Sequence, residues 1–425
     1  MKHCSALFLS LLLLIPFSSC ARNNKEQTSK TEENLSVEKK VTKEDDFKYP
    51  DICDTLTLEA LEDIPIAKSS MTESVLRQIC LDYFYLQLTF AWTPSKDINY
   101  TIVSSGSKVK LSRGKIYGGL PYVTDAEGNL YRVFDFYDSK TGIITPPVTD
   151  QDFAEIFGNQ CSYGSFWAWS RVCNSVKYNI THTITAANGV IPVGPYTYDT
   201  ENIKSFKTKS TKDICDDNGK QTIFESYAAL KPADGLVYYN TAGHVIMCAS
   251  EPSVVYKKDG TIDGEKSTLK VLEQNTGWSA ATQSDGSDYV VQGGVYAKKT
   301  FDKLFSKGYL PFTFAEFQGK DPVEDGQASL DLVEGKNTMK DIKNATLKAN
   351  YPISHLHIKV LDEKGEEVYR YIERVKKINT NEVEMDHCIF PTSLKKFSDG
   401  KHTLEITCFL GNGEKLTVFT NTVTK

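Results

Sequence analysis

Cys161 stands where the loop Phe157-Gly158-Asn159-Gln160 gives way to a stretch with helical spacing, Phe166, Trp169, Val172/Cys173 and Val176 on one face. A thiol attacks carbonyls only as its thiolate. A helix N-terminus favours that form through unpaired N–H groups and the positive end of the dipole. The Cys161 N–H is also placed to contribute to an oxyanion hole. The base is expected at His244, which follows Gly243 at the head of an apolar strand, whereas His182 in Ile180-Thr181-His182-Thr183-Ile184 reads as an ordinary strand position. An acceptor for the other imidazole N–H falls on the next strand, at Glu273, with Asn275 on the same face as support and Gln274 pointing away. Cys161, His244, Glu273 and Asn275 together are the residue types of nucleophilic acyl chemistry. Cys173, on the packed face of the same helix, reads as structural.

These side chains need a frame. Residues 71–92 carry Val75, Ile79, Tyr83 and Leu86 at three-to-four spacing after Thr72, which predicts a capped helix. Residues 115–130 are rich in glycine and read as a loop, and 131–137 as a strand. Gly235–Tyr239, His244–Ala249 and Thr268–Gln274 read as three strands joined by turn signals, Asn240-Thr241-Ala242-Gly243 and Lys258-Asp259-Gly260. A helix followed by antiparallel strands predicts an α+β class. The chain loosens around 319–326, and from 323 to 425 short alternating strands with turns predict an immunoglobulin-like β-sandwich.

The 425-residue chain carries a formal charge of −6, with 24% charged and 11% aromatic residues. It shows no basic run with interleaved aromatics, which argues against nucleic acid as a partner. Lys2 and His3 precede an apolar run from Ala6 to Phe17 that ends in Ser18-Ser19-Cys20, the pattern of an export signal over residues 1–20. Residues 21–50 hold few apolar and many charged side chains and read as a disordered tether. Residues 51–322 are then the catalytic region with an N-terminal helical extension. Beyond the signal come Cys53, 80, 161, 173, 215, 248, 388 and 408, so a free Cys161 leaves an odd number for pairing. Cys388 and Cys408 read as a candidate pair across neighbouring strands. His355 and His357 share one face of a strand, but paired metal-ligand spacing is lacking, and no metal or cofactor is called for.

Two resemblances follow from these residues. Cys20 placed straight after small residues resembles the lipobox of bacterial lipoproteins, although Phe17 stands where a smaller aliphatic residue is usual. The resemblance implies lipid attachment at Cys20 and a membrane-anchored, exported location at the periplasm or cell surface. Gln160-Cys161-Ser162-Tyr163, Ala233-Asp234-Gly235-Leu236-Val237-Tyr238, Gly243-His244-Val245 and Glu273-Gln274-Asn275 resemble the NlpC and CHAP families of papain-like bacterial cell-wall enzymes. Gln160 departs from the aspartate usual before that cysteine. The resemblance implies a papain-like catalytic domain, a cysteine peptidase or amidase acting on peptidoglycan stem peptides, and a substrate-binding role for Tyr122 in Tyr117-Gly118-Gly119-Leu120-Pro121-Tyr122. Trp278, beside the Glu273 strand, is the best placed of Trp167, Trp169 and Trp278 to line a sugar-binding cleft. Two other readings stand beside hydrolysis: a non-catalytic cell-surface binding lipoprotein of the same fold, and a thiol acyltransferase.

Overall fold

The computed structural model describes residues 56–424 apart from 125, 127, 147–148, 177–188, 200–204, 283–285, 337, 375–379, 392–396 and 398. Residues 1–20, read as an export signal with Cys20, residues 21–50, read as a tether, and Cys53 and His182 all lie outside the described residues. Helices and strands are mixed, and the class is α+β.

The larger region is organised on a ten-stranded sheet among the described residues, in which 117–118, 288–300, 268–282, 243–248, 235–239 and 310–314 are successive neighbours. Gly235–Tyr239 forms a strand with the predicted bounds, and Gly243–Cys248 pairs with it antiparallel in a tight hairpin, Tyr238 opposite His244. The helix expected over 71–92 spans Glu73–Thr89. Arg77 on that helix is buried and holds Asp234 at 2.7 Å, the Pro232 carbonyl at 2.7 Å and the Thr313 hydroxyl at 3.3 Å. Trp169 donates its indole N–H to the Ala233 carbonyl at 2.8 Å. The turn before the Gly235 strand is therefore the common anchor of the Glu73–Thr89 helix and the Cys161 helix. A buried ion pair costs desolvation, but removing one partner strands the other charge, so this joint is intolerant of single changes.

Two expectations about local structure are corrected. Residues 131–136 form no strand, and only Tyr137 enters one, the two-residue Tyr137–Asp138: Asn129 accepts from the N–H groups of Tyr131 and Arg132, at 3.0 and 3.3 Å, and caps a short helix over Leu130–Val133. The helix from Cys161 ends at Trp169, with Ser170 as its C-cap, and does not continue to Val176.

From Ala328 onward the chain forms two antiparallel sheets. One has three strands, 328–330, 346–349 and 382–384, and the other has four, 367–374, 353–361, 401–410 and 415–424. Leu347 from one sheet and Leu356, Ile358, Ile406 and Leu410 from the other meet in one apolar cluster, separate from that of the larger region. This part is docked on the rest. The Tyr351 hydroxyl donates to the Val172 carbonyl at 3.2 Å, the Arg374 guanidinium makes a two-pronged pair with Asp135, and the Tyr131 ring lies tilted against His355 at 4.9 Å. His355 is consequently buried and packed on Phe409, rather than exposed. Cys388 and Cys408 are both free and buried, so the pairing expected between them is not formed.

Candidate active site

Gln160 is extended, with φ −133° and ψ 174°, and its carbonyl accepts the Gly164 N–H at 2.8 Å, which sets Cys161 as the first residue of the helix Cys161–Trp169. Asn159 holds the approach. Its side chain accepts from the Gln160 N–H and donates to the Gly128 carbonyl, both at 2.6 Å. Its own backbone pairs in parallel with Tyr122, the Asn159 N–H donating to the Pro121 carbonyl at 2.8 Å and the Val123 N–H to the Asn159 carbonyl at 2.9 Å. That short bridge closes the long sequence gap and brings Tyr122 beside Cys161, whose thiolate charge adds to burial in pushing the tyrosine hydroxyl up. Cys161 itself is 4% exposed.

His244 reaches the same thiol from the neighbouring strand. Its Nε2 lies 3.2 Å from Glu273 Oε2, which leaves Nδ1 for Cys161. Glu273 comes from the strand Thr268–Thr282, and its second oxygen, Oε1, accepts from Lys299 Nζ at 2.6 Å. Lys299 lies on the strand Asp288–Thr300 and was not visible as a site residue in the sequence.

The electrostatics separate Cys161 from its peers. Burial pushes its thiol up, but the His244 charge and hydrogen bond, with the backbone N–H groups of Val245 and Ser162, outweigh burial and bring it below the ordinary value. Burial pushes the thiols of Cys80, Cys173, Cys215, Cys248, Cys388 and Cys408 upward and no partner outweighs it, Cys215, Cys388 and Cys408 reaching about 12. For His244, burial disfavours the imidazolium, yet the Cys161 thiolate and then Glu273 raise it to about 9. For Glu273, burial works against the anion, and the hydrogen bonds and charges of His244 and Lys299 hold it at about 2. A thiolate–imidazolium pair with an ionised acceptor behind it is a nucleophile and its acid in one charged unit.

Asn275 does not join them. Extending the strand register would set it opposite His244, but the ladder between these strands runs only through the Leu272–Met247 and Val271–Cys248 pairs. On the other side the register shifts between Glu273 and Trp278, which face Gly294 and Gln292, so four residues oppose Gly293 alone. Gly293 has φ +147°, and a Cβ there would sit 2.2 Å from the Glu273 carbonyl oxygen, so the bulge requires glycine. Within the bulge Asn275 accepts the Gly277 N–H at 2.7 Å and turns its side chain to its own strand. Gln274 points away as expected and donates to the Leu120 carbonyl at 2.7 Å.

Trp278 is 45% exposed and packs beside Tyr117 at 5.9 Å, opposite Gln292, whose side-chain oxygen accepts the Tyr122 N–H at 2.8 Å. Trp167 and Trp169 are buried core residues. Tyr238 and Tyr309, which stack edge to face at 4.9 Å, also lie within electrostatic reach of Cys161 and Glu273, and sequence patterning did not single them out. No protein-family model matches the chain, and no curated protein matches it with significance.

Proposed function

We propose that this chain is an exported thiol hydrolase that cleaves a peptide or amide bond of peptidoglycan through an acyl-enzyme on Cys161. One observation carries the reading: of the described cysteines that are perturbed, Cys161 alone is lowered, and it is the one at a helix N-terminus facing a histidine backed by a carboxylate. The cell-wall substrate rests on the sequence resemblance to the NlpC and CHAP families and on the export signal. The same resemblance supports a papain-like catalytic region, and the two C-terminal sheets over one apolar cluster support an immunoglobulin-like module. Lipid attachment at Cys20 would hold the enzyme at a membrane, with the tether giving it reach toward the wall.

In this reaction the Cys161 thiolate attacks the carbonyl carbon. The tetrahedral oxyanion is met by the Cys161 N–H, one of the helix N-terminal donors without an intrahelical acceptor. The imidazolium of His244 gives its proton to the departing amine as the C–N bond breaks, leaving a thioester. His244, now neutral, takes a proton from water. The hydroxide attacks the thioester, and the carboxylic product leaves as the thiolate and imidazolium are restored. Glu273 stabilises the imidazolium throughout. The exposed Trp278 and the Tyr122 beside the thiol are the surfaces on which a sugar-peptide strand would lie.

The test is mass spectrometry of purified peptidoglycan after incubation with residues 21–425, with Cys161→Ala alongside. New soluble fragments from the unaltered protein only are expected, and their masses name the bond. Equal fragments from both proteins would overturn the reading.

A further inference from the structure

We infer that Lys299 is a positioning residue of this site, acting through Glu273 to set the pH window in which the Cys161–His244 pair is charged; the inference rests on the thiol-hydrolase reading above. The Glu273 carboxylate is shared. Oε2 faces His244 Nε2 at 3.2 Å, and Oε1 is held by Lys299 Nζ at 2.6 Å, the shorter contact. Gly294 lies against the same oxygen, where any Cβ would stand 2.9 Å from Oε1 and 3.0 Å from Cγ. Glycine there keeps the carboxylate seated, and the ammonium fixes which oxygen is left for the imidazole. The Lys299 side chain is 30% exposed, against 6% for Glu273, so its charge is screened on one side only.

The electrostatic consequence has a definite sign. A fixed cation lowers the proton affinity of every titrating group near it. The titratable groups facing the pair are Glu273 from its own strand, Lys299 from the next, Tyr122 from the Pro121 segment, Tyr238 from the Gly235 strand, and Tyr309. Burial pushes all three tyrosines above their usual range, so they stay neutral while the pair titrates. Lys299 is therefore the cation that opposes Glu273. Without it, an undamped carboxylate would favour protons on both His244 and Cys161. The charged window would then move to higher pH, and the thiolate would form later.

The experiment follows iodoacetamide alkylation of Cys161 by peptide mass as a function of pH, in Lys299→Met, Lys299→Gln and Lys299→Arg. In Met and Gln the acid limb is expected to rise by about half to one pH unit. In Arg, which keeps the charge, it should lie on the unaltered profile. Superposition of the Met and Gln profiles on the unaltered one would overturn the inference, as would an equal shift in all three variants. Alkylation does not depend on the substrate. A shifted limb without wall fragments sinks the peptidoglycan reading alone, and an unaltered protein whose Cys161 titrates like a free thiol sinks both.

Discussion

Replacing Glu273 with Gln keeps the shape of the side chain and removes the charge that His244 and Lys299 share. The carboxyl is held at about 2 in the folded protein against 4.5 for the free group. That difference, roughly two and a half pH units at about 1.4 kcal/mol each, corresponds to about 3.5 kcal/mol of gross stabilisation. Because the folded value is depressed, the contribution is fully present above pH 4.5 and is lost as pH falls through 2. Glu273 is 5% exposed, so screening removes little, but Lys299 can turn its ammonium to solvent in the variant. A net loss of about 1–2 kcal/mol near neutral pH is expected after that relaxation. Denaturant unfolding of both proteins near neutrality and again as the pH is taken from 4.5 down toward 2 reads this directly, and the stability gap should close over that range. The same change should move the Cys161 alkylation window to lower pH, opposite in sign to the loss of Lys299, because a nearby anion has been taken away. A gap that persists unchanged in acid, or a window that moves upward, would show that the carboxylate is not the partner of the imidazolium.

Other changes separate the site from its surroundings. Asn275→Ala should leave the alkylation window where it is and cost about 0.5–1.5 kcal/mol of stability from the lost Gly277 contact, since that side chain serves its own bulge; a window shift measured in this variant would restore Asn275 to the triad. Gly164→Ala places a Cβ 2.6 Å from Gln87 Nε2, 3.0 Å from Gln274 Oε1 and 3.1 Å from the Phe84 ring. Helix propensity gains up to about 1 kcal/mol there, but overpacking of a buried contact costs about 1–3 kcal/mol, so unfolding should come at lower denaturant. A stabilised variant would mean that the glutamine amides give way freely.

The parts legible in the sequence were those governed by local pattern. Three-to-four spacing gave the Glu73–Thr89 helix, alternation and a turn signal gave the Gly235–Gly243 hairpin, and the loop-to-helix junction placed Cys161. What failed depended on register between distant strands. Period-two alternation put Asn275 beside Glu273, and the Gly293 bulge cancelled it. Lys299 sits in Ala297-Lys298-Lys299-Thr300, where nothing local distinguishes the lysine that turns to Glu273 from its exposed neighbour Lys298. Tyr122 reaches the thiol through a parallel bridge to Asn159, a contact of a single residue pair. Asn129 illustrates the competition in the other direction: aromatic alternation over 131–137 favours a strand, and one well-placed cap turned its start into a helix.

The docking of the C-terminal sheets bears on the proposed nucleophile itself. Asn159, the residue that sets the approach to Cys161, is held by the Gly128 carbonyl, and the Gly128 N–H donates in return to the Gly158 carbonyl at 2.8 Å. The chain runs from Gly128 through the Asn129 cap to Tyr131 and Asp135, and these are the residues gripped by His355 and Arg374. Ser170, the C-cap of the Cys161 helix, lies against Gly411, where a Cβ would come within 2.8 Å of its hydroxyl oxygen, and Arg171 beside it is packed under Gly413. The C-terminal region thus touches both the loop that leads into the Cys161 helix and the residues that leave it. A module joined only as a spacer has no reason to bury a histidine and set a half-buried, two-pronged ion pair against that loop. Its contacts make it part of the frame that fixes where the thiol points.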